Sequence, residues 1–288
     1  MLEHRLFPVW LAFVAALAWG IWWMPVRWLE GAGLPGSWTA AAMLLGALPI
    51  CVLFAWRAPI PINRRTVASG ALIGGAMALY SAAITETTVV RAVLLFYLAP
   101  LWSLSIEVAV MGRRPDLRVA GAFVLAVLGV LTIFRFNLSF AAWSVGDTLA
   151  LFSGISWSLG AALVFAGPRL PARGLALFGC LGGIVVATLC AFFLSASVPV
   201  GVAAPAVIPS VLIGTAYVMP VLVATLWSAA RLGPTTLSFL LTGEILSGVF
   251  TAAYFLDEPF GTFEVAGAAL IISAALVEVV SQKPTVTA

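Results

Sequence analysis

The stretch GLALFGCLGGIVVATLCAFFLS, residues 174–195, follows directly on Arg173 and carries no charge over twenty-two residues. At 1.5 Å rise per residue a helix of that length reaches ~33 Å, enough to cross a ~30 Å hydrocarbon layer. Inside lipid every backbone N–H and C=O must find its partner within the segment, so a run like this reads as a transmembrane helix. The same pattern recurs outward in both directions. It gives ten spans, approximately 7–29, 37–56, 66–86, 89–110, 118–135, 146–165, 174–195, 206–228, 235–256 and 262–280. The charged residues fall almost entirely between these spans. Only 9% of the 288 residues are charged, against about 25% in soluble domains, while 63% are hydrophobic and the mean hydropathy is +1.14. The expected fold is an all-α membrane protein of ten transmembrane helices, without room for an extramembrane domain.

Ten crossings put both termini on one side, and the basic residues say which. With the termini in the cytoplasm, the inner segments hold Arg5, Arg57, Arg64, Arg65, Arg113, Arg114, Arg118, Arg169, Arg173, Arg231 and Lys283, and the outer ends hold Arg27, Arg91 and Arg135. Eleven against three fits the positive-inside rule, and the opposite orientation would invert the ratio. Because the cations follow topology rather than forming a patch, the pI near 9.0 is no sign of a nucleic-acid partner. Glu3, His4 and Arg5 precede more than twenty apolar residues, too long a run for a signal-peptide core, so the start reads as an uncleaved first span. Trp28, Trp38, Trp56, Trp143 and Trp227 fall near span ends, as interfacial tryptophans do. Cys51, Cys180 and Cys190 all lie in apolar runs. They read as small buried hydrophobes, with no disulfide or metal framework.

The two halves echo each other. Ala18-Trp19-Gly20 in span 1 answers Ser156-Trp157-Ser158 in span 6. Leu72-Ile73-Gly74 answers Leu212-Ile213-Gly214, and Val119-Ala120-Gly121-Ala122 answers Val265-Ala266-Gly267-Ala268. The offset grows from 138 to 140 to 146, as small loop insertions would make it. Five spans per copy is odd, so the second copy enters from the opposite side. The expected organisation is two inverted five-helix repeats, residues 1–140 and 141–288, with a substrate site near the midplane between them.

Several of these residues also carry a family resemblance. Ala18-Trp19-Gly20, Leu98-Ala99-Pro100, Gly112-Arg113-Arg114-Pro115, Gly243-Glu244 and Asp257-Glu258-Pro259 make the chain similar to the ten-span EamA-type group of drug/metabolite transporters. Arg113 stands where the family often has Glu, and Ile245 where it often has Pro. Tyr97-Leu98-x-Pro100, with Tyr80 upstream and Trp157 in span 6, is most similar to the YddG-type exporters of aromatic and other neutral amino acids. The resemblance implies a secondary transporter that works by alternating access, with these spans lining its cavity.

Glu244 is the sharpest single candidate. It lies about ten residues into span 9, roughly 14 Å deep. A charged group at the bilayer centre costs at least ~2.5–3.5 kcal/mol on insertion scales, so it should face protein or water. It could bind a substrate ammonium group or exchange a proton, or it could be a structural acid hydrogen-bonded to a helix. Trp19, Tyr80, Tyr97, Trp102, Trp157 and Tyr217 lie several residues inside their spans, where an O–H or indole N–H needs a partner. As a group they suit an aromatic-lined substrate cavity; singly, core packing serves as well. Pro100, midway along span 4, removes one backbone hydrogen bond and is the hinge candidate, and Pro25, Pro49 and Pro220 invite kinks of their own. Glu107 reads as a partner for cytoplasmic arginines. Arg91, Glu86 and Arg27 read as outer anchors or an outer gate, and Asp147 as the cap of span 6.

The expected function is export of neutral, including aromatic, amino acids or related small metabolites across a bacterial inner membrane. The bacterial source rests on a basic set in which Lys283 is the one lysine among fourteen Lys and Arg. The partners expected are the substrate, the bilayer and, if Glu244 couples, protons. The protein is expected to work as a monomer, with no catalytic residues, no cofactor and no metal. The absence of a Gly-rich Lys-Ser/Thr loop argues against direct use of ATP. A multidrug or other metabolite exporter is the near alternative, although the lack of Lys or Arg near the midplane argues against phosphorylated cargo. A lipid enzyme would need a nucleophile, an acid/base pair or metal ligands, and the spans contain no His and no close carboxylate pair.

Overall fold

Three helices start where a side-chain oxygen receives a free N–H of the first turn. Asn63 Oδ1 accepts from Thr66 N at 2.8 Å, and Thr88 Oγ1 from Arg91 N at 3.4 Å. Ser144 and Asp147 bond each other's backbone N–H reciprocally, at 3.1 and 2.8 Å, as a capping box does. The computed structural model describes all residues except 1, 35, 58–59, 61, 100, 104, 107–116, 134, 137–142, 166, 169, 195–203, 230, 232–239, 242, 258–260 and 282–288. Pro100, Glu107 and Arg113 are among these exceptions, so the expected hinge lies outside the described residues.

The described helices are α1 (Leu2–Gly20), α2 (Trp23–Gly31), α3 (Trp38–Trp56), α4 (Arg64–Glu86), α5 (Val89–Phe96), α6 (Leu117–Ile133), α7 (Val145–Phe165), α8 (Ala172–Phe193), α9 (Ala204–Ile213), α10 (Met219–Ala229), α11 (Gly243–Phe255) and α12 (Thr262–Ser281). A π-helical turn, Gly214–Val218, joins α9 to α10. Among the described residues there is no strand, and six helical segments are long and apolar enough to cross a membrane: Phe7–Gly31, Trp38–Trp56, Arg64–Glu86, Val145–Val164, Ala172–Phe193 and Ala206–Thr225. Large apolar side chains face outward, among them Val185, Leu189 and Phe192 on α8 and Leu246, Phe250 and Tyr254 on α11. A helix apolar on its outside as well as its inside belongs in lipid. Trp56 is 85% exposed at the end of α3, as an interfacial tryptophan should be.

Three of the four prolines named above explain breaks in these helices. Pro25 has no N–H for the carbonyl of Ile21, and the chain turns at Ile21–Trp22 between α1 and α2. The Ile21 carbonyl is taken instead by Met24 N at 3.0 Å. Pro100 leaves the Phe96 carbonyl without its helical donor, α5 ends at Phe96, and Tyr97 and Leu98 form a turn. Pro220 cannot serve Ala216; the helix widens, and Met219 N reaches back five residues to Gly214 O. Pro49 does not follow the expectation: α3 runs through it from Trp38 to Trp56. Neighbouring helices can hold a membrane helix together across a proline.

Small residues set the packing. α4 lies against α7 on one side and α8 on the other. A Cβ at Gly74 would overlap the carbonyl of Gly179, and one at Gly182 would come within 2.5 Å of Ala71 Cα, so α4 and α8 meet backbone to backbone. Hydroxyls knit α4 to α7: Ser153 donates to Ala76 O, Ser156 to Leu72 O and Ser69 to Gly160 O, at 2.7, 2.7 and 2.9 Å. Elsewhere α6 packs on α12, α3 on α8 and on α9 with its π turn, α1 on α10 and α11, and α5 on α7 and α11.

Candidate functional site

The three breaks converge on one region. Tyr97, in the turn that ends α5, sends its Oη to within 2.8 Å of Glu244 Oε2 on α11 and 2.8 Å of the Leu241 carbonyl. Its single hydroxyl hydrogen cannot fully satisfy two acceptors. When the carboxyl carries a proton, Glu244 donates to Tyr97 and Tyr97 donates to Leu241, and all three groups are served. Among the described residues, Glu244 has no cationic partner.

Aromatic rings close in from both sides. Phe96 stands edge-on to Tyr97 at 5.5 Å between centroids, and lies 5.3 Å from Tyr80 and 6.3 Å from Trp157. Across from them Trp22 stacks on Tyr217 at 6.0 Å and tilts against Trp19 at 5.7 Å. Tyr217, carried by the π turn, donates to the Ala18 carbonyl near the end of α1 and lies within electrostatic reach of Glu244. The indole N–H groups are anchored on hydroxyls: Trp19 on Thr225 at 2.9 Å, Trp22 on Ser81 at 2.8 Å and Trp23 on Thr251 at 3.0 Å. Each of those hydroxyls in turn donates to a carbonyl of its own helix, Val221, Met77 and Ser247 respectively.

Of the residues singled out from the sequence, Tyr80, Tyr97 and Trp157 are joined through Phe96, Trp19 and Tyr217 through Trp22, and Glu244 meets Tyr97. Trp102 packs against the same core, with its ring near Gly154 of α7 and its buried N–H without a partner among the described residues. Sequence reasoning missed Phe96, Trp22 and the hydroxyls of Ser81, Thr225 and Thr251. Trp19, Trp22 and Trp23 recur at helical spacing, and that was the available signal for Trp22.

Near the starts of α5 and α7, Arg91 pairs with Asp147 at 2.7 Å, and Thr87 Oγ1 donates to the same carboxylate at 3.0 Å. Arg27 donates to the Thr87 carbonyl at 3.3 Å and pairs with Glu30, also at 3.3 Å. Asp147 thus caps its helix as expected and also ties α5 to α7. Glu86 is exposed. At the other end of α7, Arg65 donates to the carbonyls of Leu163, Val164 and Pro168 at 2.7, 3.0 and 2.6 Å, closing the helix C-terminus.

Comparison with known proteins bears on the whole arrangement. One solved structure, described only as the crystal structure of a protein, matches with a TM-score of 0.58 at 16% identity, covering 94% of this chain and 95% of that chain; the likeness is one of fold. No curated protein matches by sequence. The family model that matches is the EamA-like transporter family, over residues 6–135. That segment, 130 of the 288 residues, is similar to a domain of membrane transporters of small molecules.

Proposed function

We propose that the chain is a ten-span secondary transporter of two inverted repeats, residues 1–140 and 141–288, exporting neutral and aromatic amino acids by alternating access across a bacterial inner membrane. The packing supports the repeat. Numbered by span, the contacts of α3 with α8, α5 with α11 and α6 with α12 each pair a span with its counterpart five further on. The remaining main contacts exchange in twos: α4–α8 with α9–α3, α4–α7 with α10–α1, and α5–α7 with α11–α1. A two-fold axis in the membrane plane produces that pattern, and a frame with that symmetry opens to either side by similar motions.

The observation that carries the substrate reading is Glu244: one carboxyl, roughly at mid-span, held by Tyr97 beside two aromatic groups. It suits an ammonium group, and the rings suit a flat or apolar side chain. The same observation favours a second reading. Among the described residues no cation stands near Glu244 to take an amino acid's carboxylate, so organic amines fit at least as well.

Efflux from proteoliposomes preloaded with labelled phenylalanine or with phenethylamine, with and without a pH gradient, tests both. Protein-dependent efflux of the amino acid supports the first reading, and efflux of the amine alone supports the second. Failure to move either compound overturns both.

A further inference from the structure

A second cluster lies apart from Glu244 and the function above makes no use of it. Cys51 Sγ of α3 sits 3.4 Å from Cys180 Sγ of α8 and 3.5 Å from Met219 Sδ, at the start of α10. Three helices thus bring three sulfurs to one point. The residues are only 1%, 2% and 4% exposed, and the surroundings are apolar: Leu44, Ala47 and Ala176, with Leu48, Leu177 and Leu222 around them. No oxygen or nitrogen ligand belongs to this cluster.

We propose that Cys51, Cys180 and Met219 form a three-coordinate site for a soft monovalent cation, Cu(I) or Ag(I). Thiolate and thioether donors select such ions, whereas zinc takes four ligands, drawn from Cys, His and carboxylates. Cysteine ligates metals as the thiolate. Binding therefore displaces both thiol protons to water, forms three metal–sulfur bonds, and involves no change of oxidation state.

A trigonal ion with bonds of about 2.3 Å sets its sulfurs about 4.0 Å apart, so Cys180 and Met219 need only draw back from Cys51 by a few tenths of an ångström. The unbranched thioether of Met219 can accommodate that shift. Access is short. Cys51 lies five residues from the end of α3 at Trp56 and Cys180 eight residues from the start of α8 at Ala172, ~8 and ~12 Å from the ends that the arginines place in the cytoplasm.

The test is a titration of the full-length protein, reduced and in detergent, with Cu(I) buffered by a competing chelator, followed by X-ray absorption. The expected result is one Cu(I) per chain with three sulfur neighbours at about 2.3 Å. Cys51→Ala and Cys180→Ala should abolish retention. Met219→Leu, which keeps the volume, should weaken it on the order of tenfold or more. Cys190→Ala, whose thiol makes no sulfur contact, should leave binding unchanged. Gel filtration separates loss of a ligand from loss of the fold, and the conservative Met219→Leu variant keeps the test open if an alanine variant misfolds. Binding that is absent, that survives in Cys51→Ala and Cys180→Ala, or that disappears with Cys190 overturns the proposal. The readout needs no transport, so it stands or falls independently of the function proposed above.

Discussion

Tyr97 and Glu244, 147 residues apart in sequence, share a 2.8 Å hydrogen bond at the point where α5 stops being a helix. The break puts the phenol there, and the phenol in turn connects the carboxyl to the Leu241 carbonyl of the neighbouring chain segment. A bond to a carboxylate is worth about 1.5–3 kcal/mol. Tyr97→Phe should therefore lower efflux by about tenfold or more while leaving the protein folded. Proteoliposome assays and gel filtration of the same preparation check this.

Glu244→Gln keeps the shape and the hydrogen-bonding capacity but cannot change charge. If the carboxyl couples transport to protons, this variant should lose the difference between efflux with and without a pH gradient. A gradient effect of unchanged size would return Glu244 to a structural role.

Asp147 is 0% exposed and its partner Arg91 partly exposed. Asp147→Asn keeps the cap of α7 but removes the charge that Asp147 sets against Arg91. The expected cost is about 2 kcal/mol, between the ~0–1 of a surface pair and the ~3–5 of a buried one. It should appear as a lower Tm in detergent, and Thr87→Val, which removes one hydrogen bond to the carboxylate and keeps the ion pair, should cost less.

Gly74 and Gly121 make a matched pair. A methyl at Gly74 would overlap the Gly179 carbonyl, whereas nothing lies within 4 Å of one at Gly121. Gly74→Ala should be strongly destabilising, by about 3 kcal/mol or more, because backbone must move. Gly121→Ala should be neutral or slightly stabilising, since Ala is the better helix former. Thermal unfolding of the two variants side by side decides the point.

Pro220→Ala restores the N–H that Ala216 lacks. The π turn should then relax to α-helix, rotate Tyr217 away from Ala18 and reduce efflux without lowering Tm. A variant with unchanged efflux would show that the π turn is incidental to transport.

Much of this was legible in the sequence because lipid imposes simple rules. Apolar length located six helical segments long enough to cross a membrane, and Pro25, Pro100 and Pro220 each mark a break four residues upstream because a proline deprives one specific carbonyl. Pro49 shows the limit of that rule: whether a missing bond interrupts a helix depends on neighbours that sequence order does not reveal. Tyr97 and Glu244 each stood out as polar groups deep in apolar runs, but nothing in their spacing announced that they touch. Phe96 and Trp22, which join the aromatic groups, look like any other apolar residue in a span. Ser81, Thr225 and Thr251 mattered only once the indoles above them were placed. The sulfurs of Cys51 and Cys180 are 129 residues apart, and cysteine spacing along the chain carried no hint of their meeting.

The fit of α4 between α7 and α8 has a mechanical consequence. Helices that touch through glycine backbones on one side and are stitched by serine hydroxyls on the other have no slack to slide, so the three form a stiff slab. Any rocking of the molecule must then be taken up by the spans that bend, α1–α2, α5 and α9–α10, which act as the compliant members of the frame.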